Sequence, residues 1–236
     1  MKPWQIPKMW EGGECWIIGG GPSMPLEFGV PEHVIKGVLS GELPLSAYSP
    51  FLSPIHGKHV IGVNAAFLLG DWIDVVFFGD GGFYFANKRL LDVYPKVKVS
   101  CNPNIPRKQG VFDVKHLPRS GRHSSGIVSQ GNMVAWNLNS GAASISLACQ
   151  FGVKRIYLLG FDMQLGEDSA QHWHAHYKKA SNPIKQRDPK RLPFDRHLTS
   201  FSMVANDARR LGLEIINVSP NSKITVFKRV KLSDVL

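Results

Sequence analysis

Cysteine is scarce in this chain of 236 residues, and the three present, Cys15, Cys101 and Cys149, stand too far apart to form a CxxC pair. That spacing argues against a zinc knuckle or a disulfide framework and leaves the thiols to be read as small core residues. Long apolar runs are missing too: nowhere do roughly 18 apolar residues follow one another, so no membrane span is expected. The segment Met1 to Trp10 mixes Lys, Pro and Trp and lacks the apolar centre of a signal peptide, which makes the cytoplasm the expected location. Acidic residues are in the minority, 18 Asp and Glu against 28 Lys and Arg, giving a formal charge of +10. A surplus of that sign favours an anionic partner, and nucleotides, nucleic acids and acidic glycans all qualify. The basic residues are dense only from Lys178 to Arg196, so a soluble basic surface accounts for them as well as a nucleic-acid footprint does. Internal repeats, a GxGxxG fingerprint, a P-loop and a DxD pair are all absent, which disfavours NAD-binding and kinase chemistry by motif.

What is present is a hydrophobic content of 43%, enough for a sizeable core, arranged as short buried strands alternating with helices. Cys15 to Ile18 is an apolar run that stops at three glycines, and His59 to Val63, Val75 to Phe78, Arg155 to Leu159 and Glu214 to Val218 read as further strands. Lys96 to Ser100 and Val111 to Leu117 read as two short strands near an edge. Helices are expected near Pro31 to Leu39, over Ala142 to Phe151 opened by Ser140-Gly141, and near Phe194 to Leu211, with a short helical turn at Ala65 to Leu69. The fold class expected is α/β, Rossmann-like, with a mainly parallel sheet, helices on both faces and a lid segment. Residues 1–236 read as one nucleotide-binding domain, with a lid-like insertion at about 164–193.

Open α/β sheets bind ligands beyond the carboxyl ends of their strands, so the residues that follow each strand form the candidate site. Gly20, Gly21, Pro22 and Ser23 follow the first strand, Asn64 the second, Asp80 with its neighbouring glycines the third, and Gly160-Phe161-Asp162 a later one. Glycines let a backbone approach a phosphate, while Asn, Asp and Ser bond ribose and base. Ser140 and Gly141 open a helix, where unpaired N–H groups favour an anion, with Ser140 read as the N-cap. His172, His174 and His176 bring three of nine histidines into five residues. An extended segment would turn the three imidazoles to one face, the geometry of a zinc site; a lid would let one of them serve as general base. A solvated polar loop is the third reading. Trp4, Trp10, Trp16, Trp72 and Trp136 read as packing residues.

The order of motifs resembles the bacterial lipooligosaccharide sialyltransferases (glycosyltransferase family 42) and related phage and prophage proteins. The resemblance is carried by Ile17 to Ser23, Val63-Asn64, Ser140-Gly141, Val153 to Asp162, His172 to His176 and Ser219 to Ser222, in that order along most of the chain. It implies a metal-independent transferase that needs no cofactor, takes a CMP-sugar-like nucleotide-sugar donor and passes the sugar to a glycan or other hydroxyl acceptor. On that basis Gly20, Gly21, Ser23, Asn64, Ser140 and Asp162 meet the donor, and His176 is the catalytic base. The chain departs from the family where Met163 and Gln164 follow Asp162 in place of lid tyrosines, and where Asn137 stands in place of an arginine. A DNA acceptor and a homo-oligomer are compatible with the charge and composition. A weaker similarity, in Gly-Pro-Ser after the first strand, is to the archaeal 6-hydroxymethylpterin diphosphokinase domain, for which Asp80 and Asp162 would hold Mg²⁺. A non-catalytic nucleic-acid-binding or phage accessory protein is the third functional class.

Overall fold

The computed structural model describes residues 4–105, 113–166, 169–176 and 192–236. Eight strands are found in them: β1 (Glu14–Ile18), β2 (Val60–Val63), β3 (Val75–Phe78), β4 (Val97–Ser100), β5 (Val114–His116), β6 (Arg155–Leu159), β7 (Glu214–Asn217) and β8 (Lys228–Arg229). They form one sheet in the order β5-β4-β3-β2-β1-β6-β7-β8, every neighbouring pair parallel. The α/β, parallel, two-faced architecture expected from the strand pattern is the one observed.

Alternation along β1 explains its central place. Cys15 and Ile17 point into one apolar cluster and Trp16 and Ile18 into the other, all four fully buried. One cluster is covered by α4 (Ser140–Phe151) and α6 (Phe201–Leu211). On the opposite face lie α2 (Glu32–Ser40), α3 (Gly81–Val93) and 3-10 turns over Leu45–Ile55 and Asn64–Leu69. Helix α4 is buried on nearly every side, and its Gly141, Ala142, Ala143, Ser144, Ser146 and Ala148 are small enough to let it lie close against the sheet.

Several local expectations are corrected. Gly81 and Gly82 begin α3 instead of continuing a loop, because Asp80 caps the helix by accepting from the Gly82 N–H at 2.8 Å and Phe83, Tyr84, Asn87 and Leu91 fall on one buried face. Ser140 is not the N-cap of α4; Asn139 Oδ1 accepts from Gly141 and Ala142 and does that work. The final helix is broken at Thr199 and Ser200 into α5 (Phe194–Leu198) and α6. The Pro- and Ser-rich stretch from Pro25 to Gly57, whose sequence offers one helix near Pro31 to Leu39, also carries the 3-10 turns over Leu45–Ile55, with Pro50 and Pro54 inside them. Within it, α1 (Ser23–Glu27) follows the glycine turn directly. No helix among the described residues is long and apolar enough to cross a membrane.

Candidate functional site

Strands β2 to β5 build outward on one side of β1 and β6 to β8 on the other, so the chain reverses its direction of winding between β1 and β6. At such a switch point the loops leaving adjacent strands part and open a crevice. Here those loops are Gly19-Gly20-Gly21 and Gly160-Phe161-Asp162. They are tied together at their base: Gly19 N–H donates to Leu159 O and Gly21 N–H to Gly160 O, each at 2.8 Å.

The three glycines are needed by the protein itself. A Cβ on Gly19 would lie 2.7 Å from Gly160 O, and one on Gly20 would lie 2.9 Å from His172 Nδ1. At Gly21 a Cβ would fall 2.0 Å from Asp162 Oδ2 and 2.7 Å from Gly160 O. The glycine turn therefore admits its own neighbours as closely as the phosphate for which its sequence is read. Asp162 is 3% exposed and accepts from the Ser23 N–H at 3.1 Å, while Ser23 Oγ meets Ser219 Oγ at 3.2 Å. Burial pushes the Asp162 carboxyl above the usual carboxylate range, against the opposing pull of the Ser23 hydrogen bonds.

The histidine segment is docked on this turn. Trp173, 1% exposed, donates from Nε1 to Gly19 O at 2.8 Å and from its backbone N–H to Gly20 O, and Tyr48 Oη donates to Trp173 O. His172 Nδ1 lies 3.2 Å from Gly20 O, and the His172 and His174 rings stack with centroids 5.3 Å apart. His176 turns away and meets Asn87 Oδ1 of α3 through Nε2 at 2.5 Å. Burial holds His174 well below the ordinary imidazole value, with the neighbouring His172 and His176 adding to the effect. Burial lowers His176 as well. No group of three or more His, Cys, Asp or Glu side chains is arranged to hold a metal ion among the described residues.

A cavity of about 450 Å³ lies over the switch point and runs toward the ends of β3 and β4. Of the residues singled out in the sequence, Gly20, Gly21, Asn64, Asp80, Ser140, Gly141, Asp162, His172 and His174 line it. Ser23 is not on the wall but holds Asp162, and His176 is not on the wall. The lid-like insertion lies mostly outside the described residues, as do Lys178 and most of the basic segment it heads; Arg196, which ends that segment, lines the cavity beside His197.

Two residues of the wall each keep a buried amide atom with no hydrogen-bond partner among the described residues: the acceptor Asn64 Oδ1 and the donor Nδ2 of Asn139, a residue 8% exposed. Backbone strain gathers in the same place. Asn64, Leu138 and Met163, with φ of 52°, 51° and 52°, are half of the described non-glycine residues at positive φ and all three line the cavity.

Asn139, with Ser140 and Gly141, is marked by the sequence as the anion-favouring start of a helix, but Ser140 and not Asn139 reads as its cap. Trp136 reads as a packing residue, and nothing in the sequence marks His197 or Glu27. Glu27 at the end of α1 carried no motif. Its half-buried carboxyl is pushed up to about 7, by burial first and the Asp162 charge second. The folded chain holds this proton up to about pH 7 while the unfolded chain releases it near the ordinary carboxylate value. Stability therefore falls as pH rises through that window, and the whole cost is present above it. After allowance for solvent screening, Glu27→Gln is expected to stabilise the protein by about 1 kcal/mol above pH 7 and not at all near pH 4. Melting curves of both proteins across that pH range check it.

No protein-family model and no curated protein matches the chain. Among solved structures it is similar to the sialyltransferase CstII from Campylobacter jejuni in complex with a substrate analogue, cytidine-5'-monophosphate. That likeness has 14% identity, covers 94% of this chain and 86% of that one, and has a TM-score of 0.49. The same enzyme in complex with CMP-3FNeuAc is similar at 13% identity over 93% of this chain and 85% of that one, with a TM-score of 0.43.

Proposed function

We propose that this chain is a glycosyltransferase that takes its sugar from a nucleotide-activated donor, of the CMP-sugar kind, and passes it to a hydroxyl acceptor with inversion. The observation that carries the reading is that Asn64 and Asn139, both residues of the switch-point cavity, each keep an unsatisfied buried amide atom, Oδ1 and Nδ2 respectively. A buried polar atom left unpaired costs about 1–3 kcal/mol, and site residues that keep one acceptor and one donor unspent suit a ligand rich in hydroxyls and amide-like edges, to which a turn of each side chain would offer them. Leu138 and Met163, strained beside them, are further support. The ordered motif set described above points to the same class of enzyme.

In this reading the acceptor hydroxyl oxygen attacks the anomeric carbon, the bond from that carbon to the phosphate oxygen breaks, and the nucleotide leaves with the bonding electrons. The attacking hydroxyl gives its proton to an imidazole. His172 suits that role better than His176, the base that the family resemblance implies. With Nδ1–H donating to the Gly20 carbonyl, its Nε2 is the basic nitrogen, and its ring lines the cavity. His176 acts through its bond to Asn87 as an anchor of the segment. Arg196 opposes the charge that develops on the departing phosphate, the task that lid tyrosines perform in the family resembled.

A thermal-shift series with CMP, UDP, GDP and ADP, each with and without Mg²⁺, tests the assignment, since a ligand that binds only the folded state raises its melting temperature. A metal-independent shift with one nucleotide is expected. No shift with any of them would refute the reading, and a shift that needs Mg²⁺ would favour the diphosphotransferase alternative with Asp80 and Asp162 as ligands. With a competent donor, His172→Ala is expected to lower the transfer rate at least a hundredfold and His176→Ala far less. The reverse order would return the base to His176.

A further inference from the structure

The end of the cavity away from the switch point is chemically unlike the rest. Its wall there includes Gly79, Asp80, Asn102 and Trp136. Trp136 is half-buried, and its indole is held in place on several sides. The ring edge sits over Gly79, where a Cβ would come within 2.2 Å of it, and the Trp136 backbone N–H donates to Ser124 Oγ at 2.9 Å, which fixes the main chain that carries the ring. The Arg119 guanidinium lies 3.6 Å from the ring centroid. That guanidinium is itself fixed, donating from Nε to Cys101 O at 3.0 Å and from Nη2 to Gly79 O at 2.9 Å, so it acts as a support for the ring. Asn102 is also committed, its Nδ2 donating to Gly79 O and its Oδ1 accepting from Asn104 N–H. Asp80 is exposed and uses Oδ1 to cap α3, which leaves its carboxylate as the hydroxyl acceptor on this part of the wall.

We infer that Trp136 and Asp80 form a subsite for a neutral pyranose ring, the acceptor sugar of the proposed reaction. A rigid, partly exposed indole offers a flat apolar surface to the C–H face of a sugar, and a carboxylate beside it accepts from the sugar's hydroxyls. Calling the ring the acceptor rests on the glycosyltransferase reading; its binding at Trp136 does not.

The probes are methyl glycosides of glucose, galactose, mannose and N-acetylglucosamine, with a short single-stranded oligonucleotide as the competing class. Binding is read by saturation-transfer NMR and affinities by titration. At least one neutral glycoside is expected to take saturation on its ring C–H protons. Trp136→Ala is expected to weaken the glycoside about tenfold, and Trp136→Phe to keep most of the affinity, since a smaller aromatic face remains. Asp80→Asn, which preserves the cap on α3 but can turn a donor in place of the free carboxylate oxygen, is expected to weaken the glycoside several-fold. The inference is overturned if no neutral glycoside binds the wild-type protein, or if Trp136→Phe and Trp136→Ala both bind it as the wild type does. It is equally overturned if Trp136→Ala loses the oligonucleotide and not the glycoside. The CMP thermal shift, measured on the Trp136 variants, is expected to be unchanged. Its absence from the wild-type protein while a glycoside still binds at Trp136 would sink the nucleotide-sugar reading and leave the subsite standing.

Discussion

Gly21→Ala is expected to destabilise the protein by about 3 kcal/mol and to abolish nucleotide binding together. The Cβ it adds would overlap Asp162 Oδ2 at 2.0 Å and press on Gly160 O at 2.7 Å. Neither can yield cheaply. The carboxylate is buried and holds the Ser23 N–H, and the Gly160 carbonyl accepts from Gly21 itself, in a loop turned by the positive φ of Gly160. The clash would part the two loops that flank the switch point and with them the crevice between β1 and β6. Denaturant titration measures the first effect and isothermal titration with the nucleotide found by thermal shift measures the second. A Gly21→Ala protein of wild-type stability would mean that the two loops are not packed as described.

The second large effect separates binding from folding. Asn64→Gly removes Oδ1 while keeping the left-handed backbone at that position, where glycine is at least as comfortable as asparagine, so stability is expected to stay within about 1 kcal/mol. Asn139→Asp keeps an oxygen to cap α4 but replaces the Nδ2 donor by an acceptor. Each variant is expected to weaken the nucleotide-sugar at least tenfold, and the pair about a hundredfold, because each leaves a ligand group unpaired in a desolvated wall. Asn139→Ala, which loses the cap as well, is expected to lose about 1–2 kcal/mol of stability in addition. If Asn64→Gly and Asn139→Asp both bound the ligand as the wild type does, the unsatisfied amides would have another explanation and the reading that rests on them would fall.

Buried, β-branched strands of four or five residues and small-residue helical runs could be read directly from the chain. Val75 to Phe78 and Arg155 to Leu159 match β3 and β6 residue for residue, since a strand covered on both faces needs a continuous apolar run and little else does. Local polar competition was harder to read. Asn139 and Ser140 are both good caps, and which of them bonds the first turn of α4 depends on where the preceding residues, strained at Asn137 and Leu138, aim the chain. Gly81 and Gly82 look like a loop until the buried face of α3 is seen to outweigh their poor helix propensity. Trp136 looks like any packing tryptophan, because nothing adjacent to it in the chain reveals that Arg119 backs one side and a cavity opens beside it.

Linear order was enough to settle the layered α/β class and to mark out the residues at strand ends, because hydrophobic periodicity and chain turns are local properties. Which of those residues meet is a different matter. His172 and His174 reach the cavity while His176, two residues on, is drawn to Asn87, and the glycine turn is filled by Asp162 from the loop after β6, far along the chain. Such contacts follow from packing between distant segments, where the apolar demand of Trp173 and the absence of Cβ atoms at Gly20 and Gly21 set the approach, and no window of neighbouring residues contains that information.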